Sequence, residues 1–193
     1  MKYILVAMLG VGLCGFAGAD NLIKNGTFEN DAKGVNSMKT VYKKVDGKNK
    51  GVPVKGVNFT KHNTEQGADG SKGCLEIDFT VTKDEQVYIH NTGIWIKAVK
   101  RVPGSKEKPA RAKVTMMVKS LDKEPGYLHV TRLWGAGSTT VFKLTPEWQK
   151  VETVITSPYP VGDLLLVPVN KKHRIVSGKV LVDNVEVKAA EEK

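Results

Sequence analysis

The sequence predicts an all-β protein, a two-sheet antiparallel β-sandwich of the jelly-roll kind. Apolar and polar residues alternate at period two in run after run, and clusters of turn residues separate the runs at short intervals. No stretch sustains the 3.6-residue period of an amphipathic helix. Many short strands at this spacing belong to sandwiches and jelly rolls.

In chain order, Met1-Lys2 precedes an almost wholly apolar run from Ile4 to Phe16, closed by the small residues Ala17-Gly18-Ala19. This is the layout of a signal peptide over residues 1–19, with Asp20 as the mature start. The apolar run is shorter than the roughly 20 residues a span requires. No membrane span is therefore expected, and the product is placed outside the cytoplasm: secreted, periplasmic or on the cell surface. Strands follow near 21–29, 38–45, 53–62, 74–82, 86–98, 110–121, 127–134, 139–144, 148–156, 163–169 and 179–188.

The alternation is plainest in four of them. Leu75, Ile77, Phe79 and Val81 oppose Glu76, Asp78 and Thr80, and Val114, Met116 and Val118 oppose Lys113, Thr115 and Lys119. Val151, Thr153 and Ile155 oppose Glu152, Val154 and Thr156, and Leu181, Asp183, Val185 and Val187 oppose Val182, Asn184 and Glu186. Asp46-Gly47, Asp69-Gly70, Pro103-Gly104, Pro125-Gly126, Pro158, Pro160 and Ser177-Gly178 punctuate the runs. Residues 20–188 thus form one domain without internal repeat or linker, and 189–193 form a polar tail.

The formal net charge is +10, which raises the local concentration of anionic partners. The lysines are spread along the chain, and no nucleic-acid recognition motif accompanies them, so nucleic acid is excluded as a partner. Once residues 1–19 are removed Cys74 is the only cysteine, so an intrachain disulfide is impossible and stability rests on core burial, with a metal as the available supplement. Catalysis is not expected. The nearest carboxylate pairs, Glu76/Asp78 and Asp183/Glu186, are ordinary for solvated strand faces. No nucleophile elbow, zinc-binding helix motif or phosphate-cradling glycine loop occurs, and the four histidines are scattered.

Two sets of residues carry candidate function. Glu29 and Asp183 stand at the edges of the first and last strands; if those strands are neighbours, the two carboxylates converge and invite a hard cation. The second set is aromatic, because sugars present apolar C–H faces to flat rings and hydroxyls to planar polar groups. Trp95 faces opposite to Ile94 and Ile96, and Trp134 closes a strand before Gly135-Ala136-Gly137. Arg132 would share a face with Trp134, and Tyr127 and Tyr88 are further candidates.

Several stretches together resemble the jelly-roll carbohydrate-binding modules of families 4, 9, 16 and 22. They are Asn21-Leu-Ile-Lys-Asn-Gly-Thr-Phe-Glu29, Asp69-Gly-Ser-Lys-Gly-Cys-Leu-Glu-Ile77, Leu144-Thr-Pro-Glu-Trp-Gln-Lys-Val151 and Val180-Leu-Val-Asp-Asn-Val-Glu-Val187. The resemblance implies a galactose-binding-domain-like sandwich that binds polysaccharide without catalysis. It also implies a structural calcium held by Glu29, the Thr27 carbonyl, Asp69, the Lys72 carbonyl and Asp183. The positive charge tilts the expected ligand toward acidic polysaccharide. The rival expectation is a structural or adhesive cell-envelope protein that uses the same sandwich for protein contacts.

Overall fold

The computed structural model describes residues 20–82, 85–122, 126–132 and 137–190. The expected signal peptide, Trp134 and the end of the polar tail lie outside the described residues. The strands are β1 (Val35–Met38), β2 (Thr40–Val45), β3 (Lys48–Pro53), β4 (Thr60–Asn63), β5 (Cys74–Phe79), β6 (Gln86–Val87) and β7 (Gly93–Ile96). They continue with β8 (Ala110–Ser120), β9 (Tyr127–Arg132), β10 (Thr140–Lys143), β11 (Gln149–Ser157), β12 (Leu164–Val169) and β13 (Gly178–Ala189). The only helical pieces among the described residues are single 3₁₀ turns at Ala68–Gly70 and Ile89–Asn91.

The strands form two antiparallel five-stranded sheets. The first has the order β1-β7-β12-β9-β10 and the second β11-β8-β13-β5-β4. A small third sheet, β3-β2-β6, stands beside them. The sandwich interior takes Ile94, Ile96, Leu128, Val130, Leu164 and Leu166 from the first sheet. From the second come Leu75, Ile77, Phe79, Val114, Met116, Val118, Val180, Val182, Val185 and Val187. Each such side chain contributes about 1.5–3 kcal/mol by leaving water, and this burial holds the domain together, with no disulfide among the described residues.

The expected strands mostly appear, with instructive exceptions. Residues 21–29 form no ladder strand. They are pinned instead to β13 by single bonds: Leu22 N–H donates to the Val187 carbonyl and Val185 N–H to the Gly26 carbonyl, each at 2.8 Å. A side chain at Gly26 would begin 2.0 Å from the Val185 oxygen, so only glycine permits this approach. Phe28 is fully buried although its φ is +49°, and this left-handed step stops the segment from running on as a strand.

The expected strand over 38–45 is split into β1 and β2, and that over 86–98 is interrupted by the Ile89–Asn91 turn and by Gly93 at φ +144°. Of the expected 53–62 only the end is strand, as β4, and Asp46-Gly47 turns at φ +52° and +75° into a β2–β3 hairpin that adds the strand Lys48–Pro53.

The alternation expected for 181–187 is also corrected. On β13 the pairing steps from Asp183↔Met117 to Glu186↔Thr115, a bulge with Asn184 at φ +49°. The extra residue inverts the parity of the strand. Val180 and Val182 before it and Val185 and Val187 after it all reach the interior, while Asp183 is left on the far side.

Candidate functional site

Pairing register places most of the aromatic candidates. Trp95 stands opposite Asn36 on β1 and Leu165 on β12; Leu165 in turn stands opposite Thr131, Val167 opposite His129 and Val169 opposite Tyr127. Directly paired residues of antiparallel strands share a face. The outer surface of the first sheet therefore carries Trp95, Leu165, Thr131, Val167, His129, Val169 and Tyr127 in successive rows. Leu165, Val167 and Val169 are fully buried, with Trp95, Tyr127, Met38, Val141, Ile89 and Ile175 packed around them.

Trp95 is half-buried, and its indole Nε1 is enclosed without a hydrogen-bond partner. A buried donor left in this state costs roughly 1–3 kcal/mol.

The other candidates are placed differently. Tyr88 is exposed and meets Tyr42 edge to face, with ring centroids 4.5 Å apart. The Asn91 amide donates to the Tyr42 hydroxyl at 2.8 Å, which fixes that ring. Next to Tyr88, Ile89 packs on the Leu165 cluster, so the tyrosine pair stands beside the outer face. Arg132 does not join the aromatic face. It pairs with Leu164, an interior position, and so points away from Trp95 and Tyr127 at the end of β9. Its guanidinium lies over Tyr159, 5.4 Å from the ring centroid, and burial, then the neighbouring Arg101, holds its pKa below the ordinary arginine value.

The two terminal carboxylates do converge, and on one loop. Glu29 Oε2 accepts from the Lys72 N–H at 3.0 Å. Asp183, with no exposed surface, accepts from the Ala68 N–H at 2.9 Å and from the Asn184 N–H at 2.7 Å. Burial raises the Asp183 pKa, and the Glu29 charge adds to it; the hydrogen bonds from Ala68, Ser71 and Asn184 oppose the rise. Among the described residues Asp183 makes no ion pair with a lysine or arginine. Thr27 and Asp69 are exposed and line an adjoining cavity of about 280 Å³ with Asn184 and Glu186.

Among the described residues no three His, Cys, Asp or Glu side chains gather for a metal, so main-chain oxygens would have to complete any cation shell. The donors are hard oxygens, and the buried charge lacks a partner, a combination that suits a calcium ion.

The acids weighed for catalysis are already engaged. Glu76 pairs with Lys61 at 2.9 Å and accepts from Asn63 at 2.8 Å, and Asp78 pairs with Lys179 at 2.9 Å. The Cys74 thiol is pushed up to about 12, by burial first and then by the Asp183 and Glu76 charges, which makes it a poor nucleophile.

Leu165, Val167 and Thr131 were not legible as members of the outer face. The apolar run Leu164-Leu-Leu-Val167 shows no alternation, because β12 is buried on both faces. Alternation on β9 was the available signal for Thr131.

No protein-family model and no curated protein matches the sequence. Solved structures match the fold. The CBM22-1 xylan-binding domain of Xyn10C from Paenibacillus barcinonensis is 16% identical, with a TM-score of 0.52 over 91% of this chain and 97% of that one. The CBM22-1–GH10 modules of xylanase 10B from Clostridium thermocellum, complexed with xylohexaose, are 12% identical, with a TM-score of 0.51 over 87% and 28%. The enzymatically active domain of bacteriophage CBA120 tailspike protein 4 is 9% identical, with a TM-score of 0.52 over 88% and 21%. The chain has the jelly-roll fold of carbohydrate-binding modules.

Proposed function

We propose that this chain is an exported, non-catalytic module that binds polysaccharide on the outer face of its first sheet and carries a structural calcium. The observation behind the reading is the half-buried Trp95. Its ring rests on an apolar floor of buried aliphatic side chains, and its N–H lacks an acceptor. A pyranose would cover the exposed part of the ring with its C–H face. Tyr127 extends the same face, and Tyr88 stands at its margin. The fold shared with a xylan-binding domain supports the choice of ligand class. The net charge of +10 favours acidic over neutral chains. One to three stacking contacts with several hydrogen bonds correspond to about −6 to −8 kcal/mol, a micromolar affinity.

Titration calorimetry with neutral and acidic polysaccharides, at low and high salt, tests the proposal. Trp95→Ala is expected to weaken binding by about 30-fold, roughly 2 kcal/mol. Unchanged binding in that variant would remove the outer face as the site.

Calcium would be held by Glu29, Asp183 and main-chain oxygens of Thr27 and Lys72, with Asp69 beside them, and would offset the buried Asp183 charge. EDTA is expected to lower the melting midpoint, and calcium to restore it; an unchanged midpoint with no metal by elemental analysis refutes the ion. The exposed edge of β3, with Val52 and Val54 uncovered, favours the adhesive alternative. Silence on a glycan array together with self-association would establish it.

A further inference from the structure

A sizeable cavity lies remote from the aromatic face. It encloses about 680 Å³ between the segment 23–34 and residues 96–99, where β7 runs out. Its two walls are tied by backbone bonds: Lys97 N–H donates to the Gly34 carbonyl at 2.8 Å and Val99 N–H to the Leu22 carbonyl at 2.9 Å. A third contact stiffens the rim. The Asn25 amide donates to the Asp31 carbonyl at 2.9 Å, to the Asp31 carboxylate at 3.0 Å and to the Lys33 carbonyl at 3.3 Å. The cavity is thus preformed, and its size falls within the usual range for small-ligand pockets, about 300–1,000 Å³.

The lining has two chemistries. Ile23, Ile96 and Ala98, all buried, form an apolar floor, with exposed Val99 at the mouth. Lys24, Lys33, Lys97, Asn25, Asn30 and Asp31 form the polar wall. Lys33 is paired with Asp31 at 3.0 Å, whereas Lys24 and Lys97 make no ion pair among the described residues. Three lysines against one aspartate, two of them uncommitted, select an anion. The exposed Asn30 amide, with the acceptor capacity left on Asn25 and Asp31, favours a hydroxylated acid over a hydrocarbon one. The apolar floor matches the C–H face of a sugar ring, and no aromatic residue lines the cavity.

We propose that this cavity is a second binding site, for a sugar acid such as a hexuronate. The carboxylate faces Lys24 and Lys97, the ring covers Ile23, Ile96 and Ala98, and the hydroxyls meet Asn25, Asn30 and Asp31. Charge, rather than stacking, supplies selectivity here, so binding weakens steeply with salt. The inference is independent of the outer-face reading.

The test is calorimetric titration of the full chain with galacturonate oligomers and with the matching neutral galactose oligomers, at low ionic strength. Three sets of variants separate the sites: Val99→Trp, which fills the mouth; Lys24→Ala with Lys97→Ala, which removes the charge; and Trp95→Ala, which disables the outer face. Val99, Lys24 and Lys97 are exposed, so their substitution leaves the core intact.

Galacturonate binding is expected to survive Trp95→Ala and to fall at least tenfold both in Val99→Trp and in the double lysine variant. The neutral oligomer is expected to bind at least tenfold more weakly than galacturonate in the Trp95→Ala background. Galacturonate binding that falls only with the lysines and ignores Val99→Trp would mean diffuse surface attraction, and would overturn the site. Loss on Trp95→Ala alone, or no galacturonate binding at all, would overturn it equally.

Discussion

On the outside of the second sheet, lysines and carboxylates close on one another. Lys113 meets Glu152, Lys179 meets Asp78 and Lys61 meets Glu76 at 2.9 Å, and Lys188 meets Glu186 at 3.1 Å. On the outside of the first sheet the corresponding positions are Leu165, Val167 and Val169, fully buried, bordered by Trp95 and Tyr127. The two faces are products of the same strand alternation and have opposite chemistry. Apart from the buried Asp183, the second is complete as it stands, since each of these charges has a neighbour. The first is apolar and covered within the chain, and what it offers a partner is the partly exposed Trp95 and Tyr127 at its border. Function is therefore sought on the first sheet, while the charges that stand out in the sequence are mostly those of the sheet that is already satisfied.

The sharpest way to break this comparison is Leu165→Ala. Although it points away from the sandwich interior, Leu165 has no exposed surface, and its truncation is expected to cost about 2–5 kcal/mol in urea unfolding. A loss below 1 kcal/mol would mean that the first sheet's outer face is as dispensable as the second's.

An intermediate effect is expected at Lys39, between β1 and β2. Its ammonium, 10% exposed, lies 2.6 Å from Glu85 and also donates to the Thr80 carbonyl at 3.2 Å. The Lys39 hydrogen bond, before any other cause, lowers the Glu85 pKa below its ordinary 4.5. A lowered carboxylate pKa adds stability that is present above 4.5 and is lost as pH falls through the folded-state value. Lys39→Met should therefore lower the urea midpoint at pH 7 and flatten its decline below pH 4.5. A parallel decline in both proteins would show that the pair is uncoupled from folding.

The smallest effect is expected at Lys113→Ala, on the satisfied face. Both partners of this ion pair are about half exposed, and stability should stay within about 0.5 kcal/mol of the parent. A larger change in thermal unfolding would give the second sheet's charges an energetic role that the comparison denies them.

Much of this architecture was legible in the chain. β8 and β11 each have one buried and one largely solvated face, so their alternation reported their orientation directly, and in β5 the apolar positions did so although Cys74 and Glu76 are buried too. Trp95 was read as facing away from Ile94 and Ile96, and it does. The failures share a cause, which is information carried by the backbone rather than by side-chain polarity. Asn184 shifts the parity of β13 through a left-handed φ, and Phe28 ends the first segment in the same way. Neither residue announces this, since asparagine is common in ordinary turns and phenylalanine rarely adopts that conformation. Arg132 was assigned from its spacing to Trp134, which lies outside the described residues; its contact with Tyr159, 27 residues away in sequence, is one that no local pattern encodes.

Cys74 has a practical consequence. It is the only cysteine among the described residues, it is fully enclosed, and its thiolate is suppressed at neutral pH. A thiol-specific dye can reach it only while its cover opens, including the segment whose Gln66 carbonyl accepts from the thiol at 3.6 Å. Its labelling rate is therefore a built-in clock for excursions of the sandwich out of its closed state, readable without introducing any probe, and any occupant that clamps the loop above it should slow that clock.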